Sequence, residues 1–153
     1  MKLKVLSEDF YGEKTENIYE AKKTLNNLGI RYEYLDENSK NDVYILENRV
    51  IFNRKGQITT KQIFELGKKT ESVYKTPYLT MDFQINTIEF LKSEGETKLE
   101  YEIFSNGEFL NKLKIELDEL SEPFEDNMAY VAFLKRKRLI AEKRLESQNE
   151  TSK

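Results

Sequence analysis

Between Lys135 and Arg144 six cations, Lys135, Arg136, Lys137, Arg138, Lys143 and Arg144, face a single carboxylate, Glu142. The whole chain sums to −3, so this segment carries +5 and the remainder −8. Ammonium and guanidinium groups at such density suit phosphate neutralisation, the source of most non-specific affinity for nucleic acid. The overall acidity and the lack of an aromatic stacking platform beside the run weigh against that chemistry. The plainer alternative is a basic helix laid against the acidic stretch Glu116 to Asp126, with Met128, Val131 and Leu134 as anchors.

Covalent and metal chemistry have less to work with. The sequence contains no histidine and no cysteine, which removes imidazole acid–base pairs, thiolate nucleophiles, disulfides and zinc–sulfur sites. Acidic residues are scattered through positions that read as solvent-facing, and spacing marks out no carboxylate pair. No phosphate-cradling glycine loop or nucleophile elbow occurs. The expectation is a protein without catalytic activity, cofactor or metal.

Strands must position whatever site exists. From Ile30 to Leu117 apolar residues recur mostly at every second position, broken by short polar turns. This is the side-chain period of antiparallel strands around one core. The 153 residues suit a single core. Only 38% of them are hydrophobic, but nine Phe and nine Tyr supply bulk. Met1 to Val5 lacks the apolar run of a signal peptide, and no stretch approaches the ~20 apolar residues of a membrane span. With cysteine absent, a cytoplasmic location without a membrane partner is expected.

Individual hairpins follow from parity. Val43 to Phe52 folds about Glu47-Asn48, setting Ile45 opposite Val50 and Val43 opposite Phe52. Thr97 to Leu117 folds about Asn106-Gly107. A three-residue loop, Ser105-Asn106-Gly107, predicts Ile103 opposite Phe109, Leu99 opposite Leu113 and Glu100 opposite Lys112, separating the faces. Leu79, Met81, Phe83 and Ile85 share a face that Ile88 and Phe90 leave, so a bulge is expected near Asn86-Thr87. From Thr15 to Gly29 the spacing of Ile18, Ala21, Leu25 and Leu28 favours a helix locally. Pro123 to Leu145 reads as a second helix, with cations in its later turns.

Three pieces in order, Arg31 to Glu37, Arg49 to Gly56 and Tyr74 to Tyr78, precede Ile85-Asn86-Thr87 and Leu99-Glu100-Tyr101. Together they resemble the YwiB-like family, small bacterial proteins of unknown function, over about Lys2 to Leu120. The resemblance implies a calycin-like barrel related in shape to lipocalins, and no established activity. It makes Thr15 to Leu28 a strand, and closure of a barrel requires one there, so strand replaces the local helix. Leu79 stands where the family has glycine, which puts the bend at that corner in question. The resemblance also directs inspection to Arg54, Tyr74, Thr76, Thr87 and Tyr101 as ligand-binding positions.

The resulting expectation is a mainly β protein: an antiparallel closed barrel over residues 1–120, a basic helix over 121–145 and a disordered tail over 146–153. Its interior is either filled by aromatic side chains, the plainer outcome, or holds one small ligand. An inward Arg54 with no carboxylate beside it would favour an anionic ligand. The leading function is a non-enzymatic barrel that binds a small molecule or a protein partner. The alternative is an RNA-associated accessory protein acting through the basic helix.

Overall fold

The computed structural model describes residues 1–120. The helix expected over 121–145, the tail over 146–153 and the six basic residues from Lys135 to Arg144 lie outside the described residues. The described chain is a meander of ten strands: β1 (Lys2–Asp9), β2 (Lys14–Asn26), β3 (Gly29–Leu35), β4 (Ser39–Leu46), β5 (Arg49–Gly56), β6 (Thr59–Glu65), β7 (Lys69–Lys75), β8 (Thr80–Ser93), β9 (Glu96–Ser105) and β10 (Glu108–Leu120). Each pairs antiparallel with the next, and β10 returns to β1 from Lys2 opposite Leu120 to Asp9 opposite Leu113, closing a barrel. Closure leaves no unpaired edge.

The period of two is realised as an inward face. Leu3, Ala21, Tyr32, Tyr34, Val43, Ile45, Val50, Phe52, Phe64, Ile85, Leu99, Tyr101 and Leu117 form the buried core. Strand β2 pairs with β1 on one side and with β3 on the other. A helix there would strand the backbone groups of both neighbours. Most of its side chains are exposed, with Ala21 alone buried, which is why local spacing misleads: the backbone ladder, not apolar burial, holds it.

The β4–β5 hairpin has the expected register, Ile45 opposite Val50 and Val43 opposite Phe52. The β9–β10 hairpin does not. Asn106 (φ 52°) and Gly107 (φ 81°) are both left-handed, the signature of a two-residue type I′ turn. Ser105 therefore faces Glu108 and Phe104 faces Phe109; a bulge at Leu110 then shifts the ladder so that Ile103 faces Asn111, Tyr101 faces Leu113 and Leu99 faces Ile115. The faces are segregated by a bulge inside the strand rather than at the turn, and Leu99 and Leu113 still share the inner side. Lys112 reaches Glu100 at 3.0 Å diagonally, not as a direct pair. In β8 the bulge falls at Ile88, one residue beyond the expected place. Leu79 needs no left-handed backbone; the Thr76 hydroxyl accepts from the Tyr78 and Leu79 amides at 3.2 Å and closes that corner.

The meander gives the barrel two unlike ends. The β1–β2, β3–β4, β5–β6, β7–β8 and β9–β10 turns lie at one end; the other turns, with Met1 and Leu120, lie at the opposite end. The first end is hollow.

Candidate functional site

At the end carrying the odd-numbered turns, the inner wall surrounds a cavity of about 600 Å³, within the range of small-molecule sites. Aromatic and aliphatic side chains supply most of the wall, among them Tyr19, Tyr34, Phe52, Tyr74, Phe83 and Ile103. Tyr19 stacks on Tyr34 with ring centroids 4.6 Å apart, Tyr74 meets Phe83 edge-on, and Tyr101 packs on Phe64 at 4.6 Å. Below Tyr101 the core is closed: Phe64, Leu3, Leu117, Val43 and Val50 are fully buried.

One side of the cup is polar. Asp36, following β3, points inward because it shares parity with Tyr32 and Tyr34. Its Oδ1 accepts from the Asn38 and Ser39 amides at 2.8 Å and from the Ser39 hydroxyl at 3.1 Å. Its Oδ2 accepts from Asn41 Nδ2 and Arg54 Nη2, each at 3.0 Å. Arg54 Nε adds a contact to Ser39 Oγ at 3.3 Å. Burial alone would raise the Asp36 pKa, but hydrogen bonds from Asn41 and the Asn38 amide, the Arg54 charge and Ser39 outweigh it and hold the carboxyl below its ordinary value. Gly56 permits this turn to close: a Cβ there would stand 2.3 Å from the Asn38 carbonyl oxygen.

The remaining polar groups of the wall include tyrosine hydroxyls, the Asn17 and Gln62 amides and short hydroxyl side chains. Tyr34 and Tyr101 are 6% and 3% exposed. Burial raises the pKa of both, with Tyr19 and Asp36 adding to the effect at Tyr34, so both stay protonated donors. Tyr19 is raised for the same reason, burial first and then the Asp36 charge. The Thr60 and Ser72 hydroxyls lie 3.3 Å apart across β6 and β7.

The five positions singled out by resemblance separate in space. Arg54, Tyr74 and Tyr101 line the cavity. Thr76 caps the β7–β8 corner. Thr87 points inward but is sealed in the core at 2% exposure, its Oγ1 without a hydrogen-bond partner. Arg54 does have a carboxylate beside it, so the condition for an anionic ligand is not met. Asp36, Asn41, Tyr19 and Tyr34 were missed; the alternation Tyr32, Tyr34, Asp36 was the signal that could have found the carboxylate.

Two other features lie on the outer wall. Glu96, Glu116 and Asp118 bring three carboxylates within 4.8 Å of one another. A hydrogen bond that protonated Glu116 donates to Asp118, then burial and the Asp118 and Glu96 charges, raise the Glu116 pKa, while Lys98 opposes them. A concavity of about 550 Å³ across β1, β2, β8, β9 and β10 is lined largely by lysines and glutamates.

A family model described as a domain of unknown function, DUF1934, matches residues 5–117. No curated protein matches the chain. Among solved structures the ywiB protein from Bacillus subtilis is similar, at 18% identity and a TM-score of 0.60, over 78% of this chain and 89% of that one. At that identity the likeness concerns the fold.

Proposed function

The chain belongs to the DUF1934 family, described only as of unknown function, and from the cup we propose that this barrel is a binding protein for a small molecule held in its hollow half. The carrying observation is a cavity of about 600 Å³ in which the well-buried Tyr34 and Tyr101 offer hydroxyls that make no hydrogen bond among the described residues. Buried polar groups ordinarily find partners, so a cavity that keeps donors waiting suits a ligand or water. A closed up-and-down meander with a cup at one end is also the arrangement of calycin-type binders. Binding fits better than catalysis. Asp36, the cup's one carboxylate among the described residues, already accepts five hydrogen bonds and has no lone pair left for proton transfer. In a cysteine-free chain a cytoplasmic setting accords with this reading.

The test is native mass spectrometry of the full chain purified from its own cells, beside the variant Ile103→Trp, whose indole projects into the cup and narrows it. A retained mass in the wild type that disappears from the variant supports the proposal. An empty spectrum for both, with no probe binding, removes the small-molecule reading and leaves a protein partner or the polyanion role of Lys135 to Arg144. Loss of nucleic-acid retention on truncating residues 135–153 would reveal the latter.

A further inference from the structure

Resting on the reading of the cup as a ligand site, we infer that its ligand is an uncharged molecule with a flat apolar body and a hydrogen-bond acceptor such as a carbonyl oxygen. Asp36 and Arg54 are the only charged residues that line the cavity among the described residues. They form an ion pair at 3.0 Å with side-chain exposures of 16% and 26%. Their charges cancel inside the cup. An anionic ligand would bring an unbalanced charge into a largely apolar-walled cup, and a cationic one would find the Asp36 oxygens already occupied.

The hydrogen-bonding capacity that remains has a sign. Five donors already converge on the two Asp36 oxygens, against about four lone-pair sites on a carboxylate. Arg54 uses Nε and one Nη2 proton on Ser39 and Asp36, which leaves guanidinium donors to spare out of the five such a group carries. Tyr34 and Tyr101 add phenolic donors, kept protonated by burial. The Asn17 and Gln62 amides on the same wall carry donor and acceptor alike, so the spare guanidinium protons tip the balance toward donors, and an acceptor on the ligand completes them. The stacked Tyr19–Tyr34 pair and the edge-on Tyr74–Phe83 pair present aromatic surface to the apolar body. Exposed Phe10, Tyr11, Tyr78, Leu79 and Phe109 stand on turns or strand ends at the same end of the barrel, an apolar approach to the mouth.

The experiment compares two probes with one ring system, 2-acetylnaphthalene, an uncharged ketone, and 2-naphthoate, its carboxylate counterpart, by titration calorimetry on the full chain at pH 7. The ketone is expected to bind about tenfold more tightly. Tyr34→Phe combined with Tyr101→Phe should weaken it about fivefold. Asp36→Asn leaves the Arg54 charge uncompensated, so it should move the ratio about tenfold toward naphthoate. Equal or tighter naphthoate binding to the wild type overturns the inference while the cup remains a ligand site. So does a ketone affinity indifferent to the two phenylalanines. If neither probe binds, the inference fails; if the native mass spectrum is also empty, the cup reading fails with it. Should Asp36→Asn not fold, the wild-type ratio and the tyrosine variants decide.

Discussion

The two halves of the barrel use the same strands and the same alternation, yet one is packed solid and the other hollow. In the closed half the inward residues are Leu3, Val43, Ile45, Val50, Phe64 and Leu117, branched or compact side chains that meet across the axis, and all are buried. In the open half the corresponding positions carry Tyr19, Tyr34, Tyr74 and Phe83, together with short polar residues such as Thr60 and Ser72. Large rings lean on one another along the wall, short residues stand between them, and a gap of about 600 Å³ remains. The contrast teaches that stability resides in one half and binding capacity in the other.

Truncation should break this symmetry most visibly. Phe64 is fully buried and carries Tyr101 on its ring, so Phe64→Ala is expected to cost roughly 3–5 kcal/mol, transfer and cavity terms together. Phe83 is half-buried beside a space that already exists, and Phe83→Ala should cost about 1 kcal/mol because little new cavity is made. Urea unfolding of both variants measures the difference. Equal losses would mean that the hollow half supports the fold as strongly as the packed one.

Each half also contains one depressed carboxyl. Asp36 belongs to the cup. Glu119, from β10, belongs to the closed end, where it accepts a hydrogen bond from the Tyr32 hydroxyl and pairs with Lys23 at 2.7 Å. Burial would raise the Glu119 pKa, but Lys23 and Tyr32 overcome it and lower the value. Both folded values lie below the unfolded ones, about 3.9 for Asp and 4.3 for Glu. The stability they confer is therefore complete above the unfolded values and lost as pH falls through the folded ones. Asp36→Asn should lower stability by about 1–3 kcal/mol at pH 7, the worth of charge-assisted hydrogen bonds. The gap from wild type should stay constant down to about pH 4 and narrow below it, as thermal melts across pH would record. A gap independent of pH would show that Asp36 acts through shape and not charge.

The closed half was legible in the sequence because its residues, apart from the step at Ile88 in β8, obey parity, and the register of β4 on β5 follows from turn length alone. The β9–β10 register was not. A bulge at the turn and a bulge at Leu110 both place Leu99 and Leu113 inside, so facing could not distinguish them; the positive φ of Asn106 does. Nor could counting aromatic residues reveal the cup. Whether a barrel fills depends on side-chain volume against a radius set by strand number and tilt, and ten strands enclose more room than the tyrosines at one end occupy. Asp36 was hidden for another reason. It sits one residue past the end of β3, where a carboxylate ordinarily reads as a turn former, and indeed it caps that turn while facing inward.

The smallest effect, and one of opposite sign, belongs to Thr87, on the boundary between the halves. Its backbone carbonyl accepts from the Gly67 amide at 3.2 Å, but its hydroxyl is buried without a partner. A buried hydroxyl that forgoes water and gains nothing in return destabilises the fold, so Thr87→Val, with nearly the same shape, should stabilise it by about 1 kcal/mol. A rise of roughly 2–4 °C in Tm is expected for a chain of this size. The residue faces inward opposite Tyr101 across β8 and β9, next to the floor of the cup without lining it, so probe binding should be unchanged. If the valine variant melts lower than wild type, the hydroxyl has a partner in solution, and the solid half begins deeper in the barrel than Tyr101.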